Sequence, residues 1–141
     1  TLGAFGVMLL ASRKGFEADE LDHYKGLHAR DPLLAFIMMV LMLSLAGIPL
    51  TVGFLAKLQI FEALWNTGHL VLVIAAALVS VVGLFYYLRV VKILYFDPPG
   101  DLPVPDRHGA VKAALGLNAV AVVVLGVVPQ ALIELCARAL G

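Results

Sequence analysis

Apolar residues in this chain form long unbroken runs, not the stripe of an amphipathic helix or the alternation of a half-buried strand. Leu33 to Ala56 holds 24 residues without a charge, Leu70 to Leu88 holds 19, and Ala113 to Ile133 holds 21. A bilayer crossing takes about 20 apolar residues, so each run is long enough to span. Thr1 to Ser12 is a fourth uncharged run, too short to cross. No initiator methionine or basic stretch precedes it, so it does not read as a secretory signal. It reads as the tail of a helix that began upstream. The expected organisation is a partial helix over 1–12, a long segment over 32–64, and helices over 69–96 and 110–130.

The connections agree with this division. Arg13 to Asp31 is polar and charged, with Gly15 and Gly26 in it. Asn66-Thr67-Gly68 is a short turn. Asp97 to Gly109 carries Pro98, Pro99, Pro103 and Pro105, which makes it extended and non-helical. Beyond Pro129 the sequence QALIELCARALG has the pattern of a short interfacial amphipathic helix.

Composition moves the same way: 62% hydrophobic and 14% charged residues, against roughly 45–50% and about 25% in soluble domains. The expected fold class is an all-α membrane protein, a transmembrane helix bundle with one discontinuous helix. Zero net charge gives no footprint for nucleic acid. The single cysteine, Cys136, can form neither an internal disulfide nor a metal cluster. The chain has no glycine-rich phosphate loop, no Cys-x-x-Cys, no His-Glu-x-x-His and no nucleophile elbow. No cofactor and no metal is therefore expected in it, and energy for any transport comes from elsewhere.

Orientation follows from the basic residues. Arg13, Lys14, Lys25 and Arg30 lie in the first connection, and Arg89, Lys92, Arg107 and Lys112 around the third. Both connections share one face if 32–64 and 69–96 each cross once. Eight of the ten Lys and Arg residues then gather there. That face is expected to be cytoplasmic, with the C-terminus opposite. Trp65 marks the outer end of the second segment, and Tyr86, Tyr87 and Tyr95 the inner end of the third.

The 32–64 segment is too long for one straight crossing. Leu33 to Leu64 would extend about 48 Å as a single helix, against a hydrocarbon core of ~30 Å. A break at Ala46-Gly47-Ile48-Pro49 shortens the path. Pro49 removes an amide donor, and Gly47 and Gly53 allow unusual backbone angles or close helix approach. Spacing alone leaves two options open, a proline kink or a true interruption of the kind found at ion sites.

Lys57 is the only charge between Pro32 and Phe61. A lone amine inside a membrane segment is costly and marks a functional site by default. Desolvation disfavours its charged form, so such a group can take up and release a proton. The competing reading is a lysine that snorkels to the interface. Trp65, however, lies about 12 Å further along the helix, far for a lysine stem. Glu62 is five residues on, out of register for a helical ion pair. Glu62 and His69 flank the outer turn and mark a possible proton exit. Ser44, Thr51 and Ser80 either line a wet path or satisfy carbonyls. Ala76, Ser80 and Gly83 read as a packing face, and His23, His28 and His108 as water-facing loop residues.

On these residues the chain resembles a known family. LSLAGIPLTVGFLAKLQIF (Leu43 to Phe61) looks like the broken twelfth helix of the antiporter-like membrane subunits of respiratory complex I, kin to multisubunit sodium/proton antiporters. TLGAFGV (Thr1 to Val7) resembles the end of helix 11, and LDHYKGLHARDP (Leu21 to Pro32) the loop after it. FYYLRVVKILYF (Phe85 to Phe96) resembles the end of helix 13, and LGVVPQALI (Leu125 to Ile133) the end of helix 14. The resemblance implies a C-terminal part, residues 1–141, of a 14-helix proton-translocating subunit of bacterial NADH:quinone oxidoreductase. It implies that Lys57 ends a row of buried ionisable residues whose other members lie on earlier helices. It also implies the bacterial inner membrane as location, with a periplasmic C-terminus, and as partners the lipid bilayer and other membrane subunits of complex I. The runner-up is a subunit of a sodium/proton antiporter or membrane-bound hydrogenase. A third reading, from another class, is a structural bundle without an ion path.

Overall fold

The computed structural model describes residues 1–11, 21–98 and 109–130, together with Glu134 and Arg138. Among the described residues every regular element is helical: α1 (Leu2–Ala11), a 3₁₀ turn (Leu21–Tyr24), α2 (Leu27–Arg30), α3 (Pro32–Ala46), α4 (Val52–Asn66), α5 (Leu70–Phe96) and α6 (Gly109–Val127). The all-α expectation holds, and the long 32–64 segment is two helices, not one. Most of the interfacial helix expected past Pro129 and most of the proline-rich connection lie outside the described residues.

Local chemistry sets the boundaries. The Asp31 carboxylate accepts from the Leu34 amide at 3.1 Å, with Pro32 in the first helical position. That is an N-cap followed by the one helical position where a proline loses nothing. Gly47, at φ 82°, ends α3 in the left-handed region. A second left-handed glycine, Gly68 at φ 77°, turns the chain from α4 into α5. α5 and α6 have 27 and 19 residues and mean hydropathies of 2.5 and 2.1. At 1.5 Å per residue they are about 40 Å and about 28 Å long, enough to cross a membrane.

α3 lies at the centre and packs on α1, α2, α4, α5 and α6. Its buried Leu34, Ala35, Ile37, Met38, Leu41 and Met42 meet Val7 of α1, Leu27 of α2, Ile93 and Leu94 of α5, and Leu115 and Ala119 of α6. A helix apolar all round must be surrounded, and this one is on most sides, with only Pro32, Leu33 and Phe36 exposed. On α5, Ala76, Ser80 and Gly83 lie on the half-buried side, as the small-residue pattern indicated. α2 closes the end of the bundle where α3 begins. The Gly26 amide donates to the Ile93 carbonyl at 3.1 Å, and the His28 ring stacks on Tyr95 at 4.7 Å. His28 is exposed, as expected of a water-facing residue, but it lies on α2 and not in a loop, and its ring covers the end of α5.

Candidate functional site at the helix break

A helix leaves its last four carbonyls without helical partners. For α3 these belong to Leu43, Ser44, Leu45 and Ala46. The Gly47 amide donates to Leu43 at 3.1 Å and to Ser44 at 3.0 Å, and the Ile48 amide to Leu43 at 3.1 Å. The remaining two carbonyls accept from a side chain eleven and twelve residues on. Lys57 Nζ lies 2.9 Å from Ala46 O and 3.3 Å from Leu45 O. Lys57 therefore completes the C-terminus of α3 from its place on α4. A cation there also meets the negative end of the helix dipole.

This geometry needs close backbone approach at three places. A Cβ on Gly47 would stand 3.0 Å from both Cδ and Nζ of Lys57, so the glycine makes room for the amine. A Cβ on Gly53 would fall 1.9 Å from Ser44 O, which brings α4 hard against the end of α3. A Cβ on Gly126 would fall 2.5 Å from Thr51 Cα and 2.6 Å from Leu50 O. The residues between the half-helices are thus seated on α6.

Within this interruption the Thr51 hydroxyl donates to Ile48 O at 2.7 Å, the carbonyl-satisfying role. Leu50 has φ 78°, a left-handed angle that an ordinary side chain resists. Pro49 is exposed and follows the glycine by two residues, so Gly47 ends the helix and Pro49 prevents its resumption.

The lysine side chain is half-buried and borders two cavities. One, of about 390 Å³, lies toward α5 and is lined by Pro49, Phe54, Phe61 and Ser80 among others. The second, of about 410 Å³ and more polar, lies between α1, α3, α4 and α6, and its lining includes Thr1, Ser44, Gly53 and Asn118. Gly47, Gly53 and Lys57 therefore converge on one point. Glu62 and His69 do not join them. Both are exposed, and the His69 side chain makes no capping hydrogen bond to α5. Among the described residues, no group of three His, Cys, Asp or Glu side chains could hold a metal ion.

Sequence reasoning missed three features. An ion pair joins Lys112 of α6 to Asp31 at the start of α3. Asp31-Pro32 is legible as a helix start, but the partner 81 residues away is not. Gly126 as the seat of the interruption carried no local signal. Asn118 did carry one, as a carboxamide inside the uncharged run Ala113 to Ile133.

Residues 1–83 match the family described as NADH:quinone oxidoreductase/Mrp antiporter, membrane-spanning region. The chain belongs to this family. The matched stretch contains α1 to α4 and the first half of α5, and so both the helix interruption and Lys57. Relatives named NADH-quinone oxidoreductase subunit N extend the likeness over the whole chain. The protein of Thiobacillus denitrificans is 50% identical over 142 residues, covering 100% of this chain and 29% of the relative. That of Paraburkholderia phymatum is 50% identical over 140 residues, 99% of this chain and 28% of the relative. That of Nitrosomonas europaea is 44% identical, with 99% and 29% covered. The resemblance read from Leu43 to Phe61 is thereby placed among the antiporter-like subunits of complex I, beside subunit N. The chain spans less than a third of the length of these relatives.

Proposed function

We propose that this chain is the C-terminal part of a proton-translocating membrane subunit of a bacterial NADH:quinone oxidoreductase, and that Lys57 takes up and releases the transported proton. The observation that carries the reading is the seat of Lys57. An amine inside an apolar segment is held at the end of a half-helix, between two cavities. A carboxylate partner would favour the charged form strongly. Among the described residues, two carbonyls orient the amine and share its charge without that counter-ion. The neutral amine can still donate to one of them, so the site keeps its shape in both protonation states. Such a group accepts a proton from water on one side and yields it on the other. The basic residues support an orientation with 13–31 and 97–109 in the cytoplasm and the C-terminus in the periplasm. The names of the relatives favour the oxidoreductase over the antiporter branch of the family.

The test uses the full-length subunit in the assembled complex. Lys57→Ala should abolish proton pumping and depress coupled quinone reduction while the complex still assembles. Lys57→Arg keeps the charge and the donors to Leu45 and Ala46 but deprotonates with great difficulty, so it should assemble normally and pump poorly. Lys92→Ala, on an exposed position of α5, should leave pumping unchanged. Pumping at the wild-type rate in Lys57→Ala would refute the relay.

A further inference from the structure

The second cavity beside Lys57 contains a polar group that neither the relay nor the packing explains. Asn118 is the tenth residue of the 19-residue helix α6, and so halfway along it. A carboxamide at that depth is costly unless it finds partners. Asn118 is exposed at the surface of this bundle, and among the described residues its side chain takes part in no hydrogen bond. Its Oδ1 lies against α1 at a point where a Cβ on Gly3 would stand only 2.6 Å away. The amide therefore occupies space that α1 leaves open through a glycine. From there it lines the cavity whose other polar walls are Thr1, Ser44 and Lys57. A cavity of this size, about 410 Å³ and mostly apolar but with these few polar walls, has room and partners for ordered water.

Resting on the relay reading above, we propose that Asn118 is a positioning residue for that relay. It anchors, across this cavity, the water that hydrogen-bonds the Lys57 amine. The proton is then exchanged on the α1–α6 side of Lys57, not along α4 past Glu62 and His69. In the transfer, an N–H bond of the ammonium breaks and an O–H bond forms on the water. The amine is left neutral and the excess proton passes to the next water. The Asn118 amide accepts or donates hydrogen bonds throughout and carries no proton itself.

The experiment separates polarity from volume at this position in the intact complex. Asn118→Leu keeps the branched four-atom shape and removes the polar atoms. Asn118→Ser keeps a polar atom and loses volume. The expected result is a fall in pumping of about fivefold in Asn118→Leu, the effect of one lost hydrogen bond, with assembly unchanged, and substantial recovery in Asn118→Ser. Three results would overturn the proposal: wild-type pumping in Asn118→Leu, equal impairment in the Leu and Ser variants, or a larger loss in Glu62→Gln than in Asn118→Leu. Lys57→Ala is measured in parallel. If it fails to pump while Asn118→Leu pumps normally, only the positioning role falls. If both pump normally, the relay falls with it.

Discussion

Lys57 has two jobs that substitution can separate. One is structural, the completion of Leu45 and Ala46 at the end of α3. The other is the proposed proton exchange. Lys57→Met fills a similar volume but donates nothing, leaving two carbonyls unmatched at a cost of about 1–3 kcal/mol. Thermal unfolding of the purified complex should show that loss in Lys57→Met and little of it in Lys57→Arg. Equal stability in all three proteins would mean that the carbonyls find other donors. Leu50 is the residue-scale strain point. Its left-handed angle costs an ordinary residue about 1–2 kcal/mol, and its side chain is 70% exposed. Leu50→Gly should therefore leave the melting temperature unchanged or slightly raised, although glycine adds freedom to the unfolded chain.

Among the elements, the discontinuity between α3 and α4 is held by contact, not by the proline alone. α3 and α4 have 15 residues each, about 22 Å apiece, so neither crosses a bilayer by itself. Together they are long enough to do so, and on the proposed reading the interruption falls inside the membrane. Backbone exposed at such a point is tolerated only where protein or a cavity surrounds it. Here α6 surrounds it through Gly126 and α3 through Ser44. Gly53→Ala and Gly126→Ala should each cost about 1–3 kcal/mol by overpacking, because backbone atoms, unlike a flexible side chain, cannot move aside. Gly116→Ala is the control on α6. Its Cβ would meet only Ile37 Cδ1 at 3.8 Å, so alanine should be neutral or stabilising there. Melting curves of the three variants in detergent would decide this, and equal curves would remove the close-approach argument.

Across the whole molecule, the Asp31–Lys112 pair ties the beginning of α3 to the beginning of α6, at the end of the bundle opposite the interruption. The two side chains retain 11% and 16% of their exposure. The pair thus falls between surface pairs, worth about 0–1 kcal/mol, and buried pairs, whose disruption costs about 3–5 kcal/mol. Lys112→Met should destabilise by roughly 1–3 kcal/mol. Asp31→Asn should cost less than Asp31→Ala, because asparagine still caps α3. Topology is checked at the same scale. In a background lacking Cys136, single cysteines replacing Lys25 and Gly68 should react with impermeant reagents from opposite faces of the membrane. Reaction from the same face would reverse the orientation. α4 has no buried residue, and the relatives are more than three times as long as this chain, which covers 29% of one of them. On the proposed reading, the remainder of the subunit is the expected cover for that helix.

Much of this protein was legible in the sequence because membranes impose simple rules. Runs of about 20 apolar residues mean spanning helices, and Leu70 to Leu88 and Ala113 to Ile133 became α5 and most of α6. The 32–64 segment was too long for one crossing, and Gly47-Ile48-Pro49 carried the chemistry of an interruption. Lys57 stood out because a charge is expensive in an apolar run. Only the tertiary structure decided what that charge touches. Two α3 carbonyls, twelve and eleven residues back in the chain, become its partners because Gly47 ends α3 in the left-handed region and Gly53 lets α4 close on Ser44. Gly126, Asn118 and the Lys112 partner of Asp31 lie on α6, far along the chain from the residues they meet. Such pairings follow from helix packing, which no local pattern of residue types encodes.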